Sequence, residues 1–308
     1  MRGSFHSKRA TLLPVVANDG VAQSRVVRAS IVIPAHDEEC LIGECLRSVA
    51  NGADGISLEV VVVANGCTDA TAEVARAFDE LEDLRVLDIP TASKVEALNC
   101  GDKVSTTFPR IYLDADIRLG AGALMAMVRT LDRPEPLLAA PRAQIDSSSS
   151  SLLVRAFFDI FNRLPYANDT TTAGVYGLSE AGRRRFGAFP AVTADDLFVQ
   201  RLFADSEREL VDAANFVIAP RDLRNLVRVR ARVARGNRQL ANCDPRSAQE
   251  KSPVFQPSTA STTRALLGIA AANPRLLPAG LVYALVTVLA RVLARGTSRG
   301  WGRDSSTR

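Results

Sequence analysis

Histidine is nearly absent from this chain. Two residues, His6 and His36, stand among 308, which argues against a histidine-built metal centre or a nucleophile–histidine triad. Cysteine is sparse as well. The five thiols (Cys40, Cys45, Cys67, Cys100, Cys243) are scattered, odd in number and without a C-x-x-C pair. That pattern reads as reduced thiols in a cytosolic setting, not as a disulfide frame or a zinc site. Net charge is only +4, too small to argue for nucleic acid. The N-terminus does not read as a secretory leader, because its apolar run from Leu12 to Ala17 is short and broken by Pro14. No uncharged apolar stretch reaches the roughly 20 residues of a spanning helix. The longest, Leu276 to Ala290, has 15 residues before Arg291 interrupts. A glycine-rich phosphate loop is missing too: the segment that ends the first strand, Pro34-Ala-His-Asp-Glu38, is acidic.

The remainder is a globular composition, 47% hydrophobic and 23% charged, long enough for one large α/β domain. Residues 1–28 mix Ser, Arg, Gly and Asn without periodicity and read as a loose arm. Ser30–Pro34 and Leu58–Val63 are apolar runs suited to buried parallel strands. Leu84–Ile89 and Arg110–Leu113 continue the series. Helical spacing lies between them, at Leu41, Ile42, Cys45, Leu46 and Val49, then over 70–81, then over 94–103. Successive β-then-α units predict a mainly parallel sheet with helices on both faces. Further helices are expected over 122–131, 152–164 and 194–203, with strands over 137–143 and 211–219. Tyr166 to Tyr176 reads as loop.

The chemistry concentrates at Arg110-Ile-Tyr-Leu-Asp-Ala-Asp-Ile117. Asp114 and Asp116 are two apart where a strand ends, so in extended chain both carboxylates face one spot. That edge is where open α/β sheets bind ligands. Two such carboxylates repel unless a positive charge sits between them, and a hard dication held by ligand phosphates meets that need. For a lone Asp-x-Asp a solvated acidic turn is the commoner reading, and only the features that follow reverse it. A second acidic pair, Asp195-Asp196, opens a helix, where N-capping competes with chemistry.

Four features now stand in order: Ile33-Pro-Ala-His-Asp-Glu-Glu39, Asn65-Gly-Cys-Thr-Asp-Ala-Thr71, Asp114-Ala-Asp116 and Asp195-Asp196. Together they resemble the family 2 glycosyltransferases, whose fold is GT-A, over roughly residues 29 to 240. The resemblance implies that Pro34 and Ala35 let backbone approach a nucleotide, and that Glu38 and Asn65 lie around its base and ribose. The family often has aspartate where Asn65 stands, which loosens the identity of the base. Asp69 is better read as a helix cap. Lys94 stands where the family often has a lysine near the nucleotide, although a solvated lysine at a helix start is the plain alternative. Asp116 would hold Mn²⁺ or Mg²⁺ on the diphosphate, with Asp114 closer to the ribose. Asp196 would be the base toward the acceptor hydroxyl, supported by Asp195, with inversion at the anomeric carbon. Gly174 and Tyr176 fall on the acceptor side, where a plain packing turn is the alternative for Gly174.

Arg221, Arg224, Arg228, Arg232 and Arg235 recur every three or four residues, one basic face on a helix. Without aromatic interleaving, a membrane or phosphate partner or a solvated face suits it better than nucleic acid. Arg232-Val-Ala-Arg-Gly236 resembles the Arg-Trp-x-x-Gly part of the motif of processive family members. Val229 replaces its Gln and Val233 its Trp, which favours single-sugar transfer. Residues 241–264 read as a mobile linker and 265–297 as a hydrophobic helical extension, interfacial at a membrane or buried in a core. Residues 298–308 read as a polar tail. The implied partners are a nucleoside diphosphate sugar and a carbohydrate or lipid-linked acceptor, at the inner face of the cell membrane. A nucleotidyltransferase and a silent nucleotide-sugar binder are the rivals. Neither sugar, base, acceptor nor oligomeric state is legible.

Overall fold

A computed structural model describes residues 27–165, 173–242 and 259–296. Eight strands form one sheet in the order β3-β2-β1-β4-β7-β6-β8-β5. They are β1 (Val27–Ala35), β2 (Ile56–Asn65), β3 (Asp83–Ile89), β4 (Arg110–Leu113), β5 (Ile117–Leu119), β6 (Leu138–Asp146), β7 (Val175–Leu178) and β8 (Arg208–Ile218). β1 to β4 run parallel. β7 enters antiparallel between β4 and β6, and β5 runs antiparallel to β8 at the edge. The expected mainly parallel sheet is present, with two reversed strands.

Side-chain alternation explains why both faces are covered. In β1, Ile31 and Ile33 join a core with α1 (Ile42–Ala50) and α4 (Ala123–Leu131), whereas Val32 packs on the other face. Val60 and Val62 repeat the first direction, and Val61 and Val63 the second. That second face is covered by α3 (Lys94–Val104). A Cβ on Gly101 of α3 would fall 2.4 Å from the Val32 side chain, so the missing side chain lets the helix lie on the sheet. Each buried Val or Ile contributes roughly 1.5–3 kcal/mol.

Several sequence expectations shift. β1 begins at Val27, inside the stretch read as an arm. α2 (Thr71–Arg76) stops well short of residue 81. Tyr176, expected in a loop, belongs to β7. α7 (Asp195–Gln200) ends before residue 203, and β8 starts at Arg208. α9 (Thr259–Ala272) begins within the stretch read as linker. The rest of that linker, the bulk of the arm, the polar tail and the first part of the 166–176 loop lie outside the described residues.

The extension after the sheet is helical. α10 (Leu277–Leu293) packs against α5 (Leu152–Phe161) and α8 (Leu223–Asn242) through Tyr283, Val286 and Ala290. Its opposite side exposes Leu277, Leu281, Leu285, Val288 and Val292. It is therefore a one-sided helix, not the fully buried alternative. With the turn before it, Pro274–Leu293 is long and apolar enough to cross a membrane by length and composition.

Asp102 near the end of α3 fastens the sheet to the segment after β7. Its carboxylate accepts from Arg110, Arg183 and the Tyr112 hydroxyl (2.8 Å). Although burial works against its charge, the hydrogen bonds and charge of Arg183, Tyr112 and Arg110 hold its pKa below the usual carboxylate range. Its stabilising contribution is thus present at neutral pH and disappears as pH falls through that lowered value. Asp102→Asn leaves two largely buried guanidiniums short of a counter-charge. It is expected to cost about 3 kcal/mol in urea unfolding at pH 7, with the difference shrinking in acid.

Candidate active site

The carboxyl ends of β1, β2 and β4 open on the same side because these strands are parallel neighbours. Asp114 follows directly on β4, and its backbone N–H donates to the Gly174 carbonyl at 2.8 Å. Gly174 has φ +76°, and a Cβ there would strike Ile117 at 2.6 Å. The residue serves a tight turn that makes room for Ile117, the packing alternative, while also bordering the hollow.

That hollow is lined by Lys94, Leu98, Tyr112, Asp114, Gly174, Tyr176, Asp195 and Asp196. Lys94, at the start of α3, lies 2.7 Å from Asp114 Oδ1 and 3.2 Å from Asp195 Oδ1. It is not a solvated lysine; it joins the two acidic pairs. Burial works against its charge, but Asp114, Asp195 and Asp196 hold its pKa well above the ordinary lysine value. Asp195 is buried, and its Oδ2 has no hydrogen-bond partner. Burial raises its pKa, Lys94 opposes the rise, and Asp114 adds to it. Asp196 is half-buried and accepts from Leu197 N–H at 2.7 Å. Its pKa is pushed up to about 6, by burial first and Asp195 second, against the pull of Lys94. Neither aspartate occupies the cap position of α7, which is Ala194.

Asp116 stands beside this hollow and remains open to solvent. Its pKa is pushed up to about 6 by the protein crowded around it, then by the Asp114 and Glu38 carboxylates, while Arg232 and Lys94 pull it down. Two carboxylates and two cations thus bear on Asp116 electrostatically, and carboxylate oxygens are the donors that Mg²⁺ or Mn²⁺ prefers. The Glu38 carboxylate bears on Asp116, an influence its expected place at the base does not anticipate.

Other expected residues form a separate group at the ends of β1 and β2. Pro34 and Ala35 are the buried last pair of β1. Asn65 is the buried end of β2, and its Nδ2 donates to the Ala35 carbonyl at 2.7 Å, while its Oδ1 has no hydrogen-bond partner. Asp69 accepts from Thr71 N–H at 3.1 Å and Glu39 N–H at 3.2 Å; the cap position of α2 is Ala70, so Asp69 steadies the helix start from one residue earlier and is not its cap as expected. The arginine face divides by task. Arg232 bears on Asp116, Arg224 and Arg228 are exposed, and Arg238 donates to the Ala294 carbonyl at 3.2 Å beyond α10.

Sequence reasoning misses Leu98 and Tyr112 as walls of the hollow. Tyr112 carries a usable signal, since its side chain sits two positions before Asp114 on the same strand face. Gly236 shows in the sequence only as part of a motif. A Cβ on it would lie 2.9 Å from Ala194 Cβ and 3.2 Å from Ala194 N, so α8 seats the start of α7 through this contact. Alanine ordinarily favours a helix over glycine by about 1 kcal/mol. Gly236→Ala should nevertheless displace Asp195 and Asp196. A fall in kcat of about tenfold with little change in melting temperature is expected.

A mainly parallel sheet with two reversed strands and acidic residues at its carboxyl edge is a GT-A type of architecture. The model of Glycosyl transferase family 2 matches residues 30–188, just over half of the chain. The chain belongs to that family and is a glycosyltransferase. Among solved structures it is similar to a mannosyltransferase from Pyrobaculum calidifontis, determined with GDP-Man and Mn²⁺. The identity is 21%, the TM-score 0.60, and 87% of this chain and 86% of that one are covered. It is also similar to glucosyl-3-phosphoglycerate synthase from Mycobacterium tuberculosis, at 18% identity, TM-score 0.48 and coverage of 72% and 80%. No curated protein matches the sequence.

Proposed function

We propose that the protein transfers one sugar from a nucleoside diphosphate sugar to an acceptor hydroxyl, with inversion at the anomeric carbon. The observation that carries the reading is the Lys94 bridge. It draws Asp114 and Asp195 to one ammonium group, so two acidic pairs some eighty residues apart address a single ligand. Asp116 and Asp114 would hold Mn²⁺ or Mg²⁺, which supplies charge stabilisation to the departing diphosphate when bound. Arg232 adds positive charge on that side. Asp196 takes the proton of the acceptor hydroxyl as its oxygen attacks. A pKa near 6 leaves it ionised at neutral pH yet basic enough to accept that proton. Asp195, fixed by Lys94, holds the ammonium next to the base. The buried Tyr176 hydroxyl has no hydrogen-bond partner and lines the hollow, so it is placed to bind a substrate hydroxyl. Glu38 and Asn65, with Pro34 and Ala35, form the base and ribose end.

The donor is found by incubating the protein with Mn²⁺ and a panel of UDP-, GDP- and dTDP-sugars. Slow release of nucleoside diphosphate supports the reading. Pyrophosphate from a nucleoside triphosphate plus sugar phosphate would replace it with nucleotidyl transfer, and silence would leave a binder.

We infer further that the acceptor is lipid-linked and that α10 meets the cytoplasmic face of a membrane. The exposed row Leu277, Leu281, Leu285, Val288 and Val292 faces away from the core, and Arg275, Arg291 and Arg295 flank it, as snorkelling cations would. Leu281 and Leu285 are 72% and 58% exposed, so changing them does not disturb the packed face. At roughly 1.5 kcal/mol per inserted leucine, Leu281→Glu with Leu285→Glu should weaken binding to anionic phospholipid vesicles about a hundredfold. Equal sedimentation of both proteins with vesicles would remove the membrane contact.

A further inference from the structure

The loops after β1 and β2 bring together a second group of ligating atoms, different in kind from the acidic pairs. His36, Asp37 and Cys67 each turn one ligand atom into a space in which all three lie within 4.8 Å of one another. All three residues are half-buried. We propose that they form a second metal site, for a dication of the zinc class, in the loops that follow β1 and β2.

The donor set is the first argument. One imidazole nitrogen, one sulfur and one carboxylate oxygen suit Zn²⁺, whereas the oxygen-only set of Asp114 and Asp116 suits Mg²⁺ or Mn²⁺. The supporting contacts are the second. His36 Nδ1 lies 2.6 Å from the Asn65 carbonyl. Donation there fixes the tautomer and gives Nε2 the lone pair, as metal-bound imidazoles require. Nε2 is also the nitrogen that faces Asp37, at 3.9 Å from Oδ2. Asp37 Oδ1 accepts from Thr68 N–H at 2.5 Å and from its hydroxyl at 3.2 Å, which leaves Oδ2 oriented toward the ring. Cys67 Sγ accepts from Asp37 N–H at 3.5 Å, so the sulfur is held by the same loop that supplies the carboxylate. A tetrahedral ion with metal–ligand bonds of about 2.0–2.3 Å wants its ligand atoms roughly 3.3–3.8 Å apart. Closing by about 1 Å completes three sites, with the fourth left to water. On binding, the Cys67 thiol gives its proton to solvent and its weak contact with the Ala35 carbonyl (3.6 Å) is exchanged for the metal bond. The two histidines and five scattered cysteines of the sequence conceal this site, because its ligands come from two loops 30 residues apart. The proposal does not depend on the sugar-transfer reading.

The test is a Co²⁺ titration of the metal-free, full-length protein, read as near-ultraviolet thiolate-to-cobalt absorption. The expected result is a band that saturates at about one equivalent, is bleached by Zn²⁺ and persists in Asp116→Asn. Cys67→Ser should abolish it, and His36→Ala should weaken Co²⁺ binding about tenfold to a hundredfold. Circular dichroism establishes that each variant is folded, and His36→Ala decides the matter if Cys67→Ser is not. The proposal is overturned if no thiolate band forms, if the band survives Cys67→Ser, or if His36→Ala binds as the wild type does. Loss of the band in Asp116→Asn would overturn it too, by placing the thiolate-bound ion at the acidic pair.

Discussion

Asp196→Asn is expected to lower kcat by about a thousandfold while donor affinity stays within a few-fold of wild type. The amide keeps the size of the side chain and can still accept from Leu197 N–H, so the start of α7 is preserved. Its loss is the ability to take a proton. Asp195 is not expected to substitute, because it is buried and its charge is paired with the Lys94 ammonium at 3.2 Å. The wild-type pH profile should agree: kcat/KM falls as pH drops through about 6, where Asp196 takes up its proton. Rapid-quench turnover together with equilibrium binding of the donor separates the two effects. Ordinary turnover by the Asn variant would remove Asp196 from the chemistry.

Asp116→Ala should act on the other half of the reaction. It removes an exposed carboxylate that Asp114 and Glu38 already crowd, so folding is little affected. The cation that would offset a departing diphosphate loses a ligand, and several kcal/mol of charge stabilisation go with it. A fall in kcat/KM of about a thousandfold is expected, with Mn²⁺-dependent donor binding weakened in parallel. The contrast between the variants is diagnostic. Asp196→Asn separates binding from turnover, and Asp116→Ala loses both. Calorimetric titration of the donor with and without Mn²⁺ makes the comparison. Unchanged metal dependence in Asp116→Ala would contradict its role.

The legible parts of the chain are those governed by local pattern. β1 and β2 declare themselves as unbroken valine and isoleucine runs because both faces are buried. The acidic pairs are legible as residues but not in their geometry: extended chain would face Asp114 and Asp116 to one spot, whereas a turn closed by the Ile117 N–H on the Asp114 carbonyl (3.1 Å) follows β4, and of the two only Asp114 lines the hollow. Non-local pairing hides the rest. β7 has four residues behind a polar stretch, too short to show alternation, and it exists because β4 and β6 flank it. β5 has three residues and depends on β8. The position of Asn65 is legible, but the commitment of its amide to the Ala35 carbonyl is not. Lys94 reads as an ordinary first-turn lysine until tertiary structure places two carboxylates against it. Gly236 matters for a contact across two helices, and no spacing rule reports that.

The family assignment and the sheet leave open whether one displacement or two occurs. The proposed single base, facing the anomeric carbon from the side opposite the diphosphate, would require one. The measurement that tests this most directly is proton NMR of the first-formed product from whichever donor turns over, before mutarotation. The proposed mechanism predicts an anomeric configuration opposite to that of the donor. A product that keeps the donor's configuration would contradict direct attack assisted by Asp196, and with it the division of labour between the two acidic pairs.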